Sequence, residues 1–391
     1  MLDLLKKYSL LLCLSISLLY GFFLFDYSDN FLKKILIAAL ILTNLINLPN
    51  KHTLIVFTKF ILPWLPWIIG CLLVPILAHG SKGLTYQLHL LLIVSLLVFA
   101  LSRVRVNRNL VILSLIISTL IISLGICVDI SFNGLQTNVL GTNKNIVIGG
   151  LCVMSSILIM FLLTHKDPLS KWFSIILLLS VGLSVLAVIL TEVRTALIGY
   201  CGLFFTIYFS SKHRVSPKKV SILVVGVLLL FICFWITGRL QEGIHDLIEW
   251  KNGNPDSSWG IRIELWTLAL NAIPEHFMFG WGYQPFSQFL QHGYTFSVSS
   301  FPAQHLHNDY ISYFATYGLI GLLGWIGTLI LLARQAVNDP LRLAMIAVMA
   351  CMGLTECMWS FTHFVLYVFF ITWTLLWLSV NPIKDKIDIL K

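Results

Sequence analysis

Residues 172–211 read WFSIILLLSVGLSVLAVILTEVRTALIGYCGLFFTIYFSS, an apolar run of about 40 residues with Glu192 and Arg194 at its middle. A helix needs roughly 20 residues to cross the hydrocarbon core of a bilayer, and a charge left inside that core is costly. The run therefore reads as two spans joined by a tight hairpin that carries both charges. The rest of the chain has the same character. Of its 391 residues 58% are hydrophobic and 11% charged, with a mean hydropathy of +0.89, whereas a soluble domain is about 25% charged. That balance excludes a cytoplasmic enzyme, a secreted disulfide scaffold and a disordered chain. Barrel strands would alternate apolar and polar residues over about 10 positions, and the runs here are continuous. The expected fold class is all-α, a polytopic integral membrane protein.

Twelve apolar runs are expected to span, at about 8–25, 32–48, 59–79, 86–102, 110–128, 146–163, 172–190, 195–211, 219–237, 309–333, 342–357 and 360–380. With the N-terminus inside, 18 of the 26 basic residues fall on the cytoplasmic side and 8 on the other. Lysine and arginine favour cytoplasmic loops, so both termini are placed in the cytoplasm. The net charge of +9 then reports topology, and no nucleic-acid partner is expected. Lys6 and Lys7 precede the first run as in a signal peptide, but 21–29 offers no small-residue cleavage site, so this span is expected to stay. The eight cysteines all lie in apolar runs without a C-x-x-C pair and read as buried free thiols.

The chain divides into spans one to nine (1–237), a loop of about 70 residues on the outer side (238–308), and spans ten to twelve with a short tail (309–391). The loop holds six of the 17 acidic residues: Glu242, Asp246, Glu249, Asp256, Glu264 and Glu275. Helical apolar spacing predicts short helices over 240–250 and 261–273. A loop this long in an otherwise economical protein reads as functional.

Three places carry candidate chemistry. Arg194 is the only basic residue between Lys171 and Lys212; it is either a functional cation or half of a local Glu192–Arg194 pair at the hairpin. Arg262 lies near the start of a predicted helix, where a guanidinium and free backbone N–H groups suit phosphate; the competing reading is a surface pair with Glu264. His305-Leu306-His307-Asn308 precedes span ten. His307 suits a base near neutral pH, and Asn308 suits an N-cap. An H-x-H pair also suggests metal, but no cysteine and no clustered third ligand lies nearby, so no metal site is expected. The chain has no D-x-D, no P-loop and no G-x-S-x-G elbow. Any diphosphate would have to be neutralised by arginine.

His307-Asn308, then nine residues, then Gly318-Leu319-Ile320-Gly321 resembles the signature of bacterial O-antigen ligases. Arg262-Ile263-Glu264-Leu265-Trp266, with Pro274-Glu275-His276 and Gly280-Trp281-Gly282-Tyr283 after it, is similar to that family's large periplasmic loop, and Arg194 resembles its other arginine. The resemblance implies a GT-C-like glycosyltransferase in the inner membrane of a Gram-negative bacterium, with its site facing the periplasm and no cofactor. The implied donor is an undecaprenyl-diphosphate-linked O-antigen held in membrane lipid, and the implied acceptor is a sugar hydroxyl of lipid A–core. In that reading Arg194 and Arg262 clamp the diphosphate, and His307 takes the acceptor's proton with inversion. Asn308, His305, Glu192 and Trp266 support or bind substrate: Glu192 would fix Arg194, and Trp266 would stack on sugar or pack the loop's helices. Gly318 and Gly321 would permit close helix packing.

An O-antigen polymerase or a protein O-oligosaccharyltransferase would use the same donor. The first tends to have two sizeable outer loops, and here the second, 129–145, has only 17 residues. The second tends to carry an extra C-terminal region beyond the last span. A transporter of lipid-linked glycan would show internal repeats and midplane charges; no repeat is evident, and the candidate charges lie at one boundary.

Overall fold

The computed structural model describes residues 51–75, 108–136, 138–140, 142–165, 170–209, 215–282, 284–296 and 305–358, and isolated positions beyond them. The expected spans at 8–25, 32–48 and 86–102, and nearly all of 360–380, lie outside the described residues. The helices are α1 (Lys51–Ile61), α2 (Leu65–Val74), α3 (Arg108–Asn133), α4 (Lys144–Thr164), α5 (Lys171–Thr191), α6 (Thr195–Phe209), α7 (Pro217–Ile236), α8 (Arg239–Lys251), α9 (Ser258–Ala272), α10 (Pro285–Gln291), α11 (Asp309–Ala336) and α12 (Pro340–Met352). A two-residue antiparallel ladder, Asn138–Val139 with Thr142–Asn143, joins α3 to α4. Among the described residues six stretches are long and apolar enough to cross a membrane: Phe57–Val74, α3, α4, α5, α7 and α11. α6 and α12 are shorter apolar helices.

The hairpin read from 172–211 is present. α5 ends at Thr191, Glu192 takes the left-handed conformation (φ 57°), and α6 starts at Thr195. Ser170 and Ser216 cap the starts of α5 and α7 through their hydroxyls, with Pro217 at the first turn of α7. Such caps satisfy N–H groups that the helix itself leaves unpaired. The expected span 59–79 begins earlier and is interrupted. A 3₁₀ turn at Leu62–Trp64 separates α1 from α2, because Pro63 and Pro66 lack the N–H that an uninterrupted α-helix needs.

α4 is the most enclosed of the long helices, 83% buried, and α7 the least, 22% buried, so α4 lies at the centre and α7 at the rim. α12 packs on α6 and α4, α11 on α2, and α3 on α5. At Gly202 of α6 an added Cβ would stand 2.7 Å from the Ala347 carbonyl oxygen of α12, so glycine sets that close approach. A second apolar core, separate from the bundle, joins Leu265, Ala269 and Ala272 of α9 with Trp281, Phe286, Phe289, Leu306 and Ala315.

Two breaks shape the region between these cores. α11 is kinked at Gly318 (φ 66°, ψ −162°), where an added Cβ would meet Met278 backbone at 2.3 Å. There the 277–282 segment bonds α11 through backbone: Trp281 N–H to the Ala315 carbonyl (2.7 Å), Gly282 N–H to Thr316 (3.0 Å), and Leu319 N–H to Phe277 (2.8 Å). Gly318 thus admits a loop backbone, where the sequence suggested helix-on-helix packing; Gly321 does face a helix, at Gly70 of α2. The second break corrects the span expected at 342–357. α12 ends at Met352, and Gly353–Glu356 turn away from it.

Candidate active site

A cavity of about 360 Å³ lies where the α5–α6 turn, the start of α4, α8, α9 and the segment before α11 meet. Its lining includes Lys144, Asn145, Arg194, Arg239, Arg262 and His307. The three residues singled out for chemistry therefore share one pocket, although 113 positions separate Arg194 from His307 in the chain.

Arg194 reaches from the hairpin to α8, with Nη2 3.3 Å from Glu242 and Nη1 3.2 Å from Asp246. The local Glu192–Arg194 pair is absent. Glu192 instead lies 3.2 Å from Arg239, which also pairs with Glu242. The left-handed turn at Glu192 is short, and the first residues of α8 stand opposite it, so each charge finds its partner across the gap. Glu192 accordingly does not fix Arg194.

Arg262 sits in the first turns of α9, and its Nη1 donates to the Ser258 carbonyl (2.8 Å) and hydroxyl (2.6 Å). Its Nη2 lies 3.7 Å from Glu356. The alternative pair with Glu264 is not formed; Glu264 accepts from Trp250 at 2.9 Å. Burial pulls the Arg262 guanidinium below its ordinary value, and Glu356 partly restores it.

The sequence reading missed Glu356. This carboxylate, 1% exposed, is the hub of the site: Oε1 lies 2.9 Å from His307 Nδ1 and 3.6 Å from His305 Nε2, while Oε2 accepts from Asn145 at 2.7 Å. Burial acts to raise its pKa, but His305, His307 and Arg262 outweigh that and hold it well below the usual carboxylate range. Burial likewise moves His307 below its ordinary value, against the upward pull of Glu356. A neutral imidazole beside a carboxylate donates from Nδ1 and keeps its basic lone pair on Nε2. His307 also has a positive φ of 48°, a conformation that costs a non-glycine residue about 1–3 kcal/mol. A signal for Glu356 did exist: it is an acid within the apolar stretch 340–380, and the argument applied to Arg194 applies equally to it.

The supporting residues have structural work. Asn308 caps α11 as expected, accepting from Ile311 N–H at 3.0 Å, and its amide donates to the Leu354 carbonyl at 2.8 Å. Trp266 donates to the Leu306 carbonyl at 2.8 Å and packs against the loop core, which holds the 305–308 segment in place. Trp259, not Trp266, lines the pocket, 6.0 Å below the Arg262 guanidinium. His305 lies beside His307, with ring centroids 4.3 Å apart.

Glu356 also supplies the third ligand-capable group that the sequence seemed to lack. Ligand atoms of His305, His307 and Glu356 lie within 4.8 Å of one another, so these residues could together hold a metal ion. The 2.9 Å contact between His307 and Glu356 is a hydrogen bond, and the guanidinium of Arg262 already balances the carboxylate.

Residues 179–326 match the O-antigen ligase family. The matched stretch contains Arg194, Arg262, His305 and His307, the kink at Gly318, and α8 to α10. Glu356, Asn145 and Lys144 lie outside it. No curated protein matches the chain. The match and the six long apolar helices among the described residues agree on a membrane protein.

Proposed function

We propose that the protein is a glycosyltransferase of the bacterial inner membrane. It moves O-antigen from undecaprenyl diphosphate to a sugar hydroxyl of lipid A–core, at a site on the periplasmic side. The observation that carries this reading is the buried Glu356–His307 hydrogen bond in a pocket that Arg194 and Arg262 also line. A sugar hydroxyl is a poor nucleophile, and a diphosphate leaves readily once its charge is neutralised. The pocket provides for both needs.

In this mechanism Glu356 holds His307 through Nδ1, so that Nε2 accepts the acceptor's hydroxyl proton. The acceptor oxygen attacks the anomeric carbon as the bond from that carbon to the diphosphate oxygen breaks. The electron pair leaves with the lipid diphosphate. Arg194 and Arg262 stabilise the charge that grows there, and attack opposite the leaving group inverts the centre. Glu356 is a positioning residue. Asn145 and Ser258 hold Glu356 and Arg262, and Asn308 and Trp266 fix the backbone that carries His307. The activated donor supplies the driving force.

The test is a product assay with detergent-purified protein, lipid-diphosphate-linked O-antigen and lipid A–core, with and without a chelator. A ladder on lipid A–core that survives chelation is expected. Longer glycan left on the lipid carrier would instead identify a polymerase. Loss of all product on chelation would make the His305–His307–Glu356 cluster a metal site and overturn the base assignment.

A further inference from the structure

The arginines of the pocket are all engaged by acids. Arg194 has Glu242 and Asp246, Arg239 has Glu192 and Glu242, and Arg262 has Glu356. An incoming diphosphate must share these cations with carboxylates already in place. Lys144 differs. It lines the same cavity, and among the described residues its ammonium makes no hydrogen bond or ion pair. The charges that act on it are Arg239 and Glu192, which pair with each other.

Lys144 is also the first residue of α4, where the helix dipole disfavours a cation. Two unfavourable neighbours, the helix end and Arg239, are offset when an anion enters the pocket. The next residue, Asn145, donates to Glu356, which holds His307. One turn of the most enclosed long helix therefore carries both the anchor of the base and this unspent cation.

We infer that Lys144 forms a second phosphate subsite, binding one phosphate of a lipid-linked diphosphate beside the arginine clamp. The inference rests on the donor reading above and extends it to a residue outside the stretch that matches the O-antigen ligase family. An ammonium is a compact point charge that needs no fixed fork geometry. It can follow the diphosphate as the sugar departs, while Arg262 stays tethered to Ser258 and Glu356.

The experiment compares wild type, Lys144→Met and Lys144→Arg in two assays: donor dependence of transfer, and the rise in unfolding midpoint on titration with inorganic pyrophosphate. Loss of one charge-assisted contact is worth about 10-fold in affinity. Lys144→Met should therefore raise donor KM about 10-fold, weaken pyrophosphate binding by a similar factor, and leave acceptor KM unchanged; Lys144→Arg should recover most of both. Donor KM and pyrophosphate affinity within two-fold of wild type in Lys144→Met, about the scatter of such contributions, would overturn the subsite. A wild type that transfers nothing, yet binds pyrophosphate in a Lys144-dependent way, would overturn the donor reading and leave the anion subsite standing. If Lys144→Met fails to fold, Lys144→Gln, also uncharged, decides: pyrophosphate binding weakened about 10-fold supports the subsite, and binding within two-fold of wild type overturns it.

Discussion

The pocket has two walls, and they hold their arginines differently. On the α8 wall, Arg194 and Arg239 share Glu242, which is half exposed at 52%, while Arg194 also pairs with Asp246 and Arg239 with Glu192. On the α9 wall, Arg262 and both histidines converge on Glu356, at 1%. Exposed ion pairs contribute about 0–1 kcal/mol and rearrange easily. Breaking a buried one by removing a partner costs about 3–5 kcal/mol, because the other charge is left without compensation. The pairs through Glu242 are therefore suited to yield to an entering anion, and the Glu356 wall to keep a base in one orientation.

Substitutions can break or sharpen that contrast. The largest effect is expected at the buried wall: Glu356→Ala should abolish transfer and lower stability by about 3–5 kcal/mol, read as a fall in the denaturation midpoint. His307→Ala should cut transfer by about 10²–10⁴-fold while the protein still accumulates in the membrane; unchanged turnover would remove the base from the mechanism. Arg262→Lys should lose at least about 10-fold in transfer, since lysine cannot keep the fork to Ser258 and also face a phosphate. At the exposed wall Glu242→Gln should shift stability by less than about 1 kcal/mol. A large loss there would show that both walls are rigid.

The walls should also part company with pH. His307 acts as a base only when neutral, and burial holds its pKa below the ordinary 6.5. Transfer should stay level through neutral pH and fall only as pH drops through that lowered value. An unfolded histidine takes up its proton first as pH drops, so the folded state also loses stability below about 6.5. In a pH–rate profile, an acid limb centred above 6.5 would contradict the burial argument.

Much of this was legible in the sequence. The α5–α6 hairpin followed from two charges midway along a run twice the length of a span, and α8 and α9 from apolar spacing. Asn308 was readable as a cap because cap chemistry is local. His307 and Arg262 were marked by residue type at an element boundary. What failed was pairing. Glu192 sits two residues from Arg194 and bonds Arg239 instead; Glu356 meets His307 across 49 residues. Which charge meets which is decided by how α4, α8, α9 and the end of α12 come together, and hydropathy carries little of that. Gly318 shows the same limit: spacing marked the glycine, but only the packed structure shows that a loop backbone, not a helix, lies against it.

The origin of Glu356 has a practical consequence. A chimera that transplanted residues 179–326 into another membrane scaffold would bring the arginines, both histidines and the kinked first half of α11 as one cassette. It would leave behind the carboxylate that orients the imidazole and the asparagine that steadies the carboxylate. Such a graft would inherit the recognition surface and the imidazole without the group that orients it, and activity would depend on whether the recipient happened to offer an acid where Glu356 follows α12.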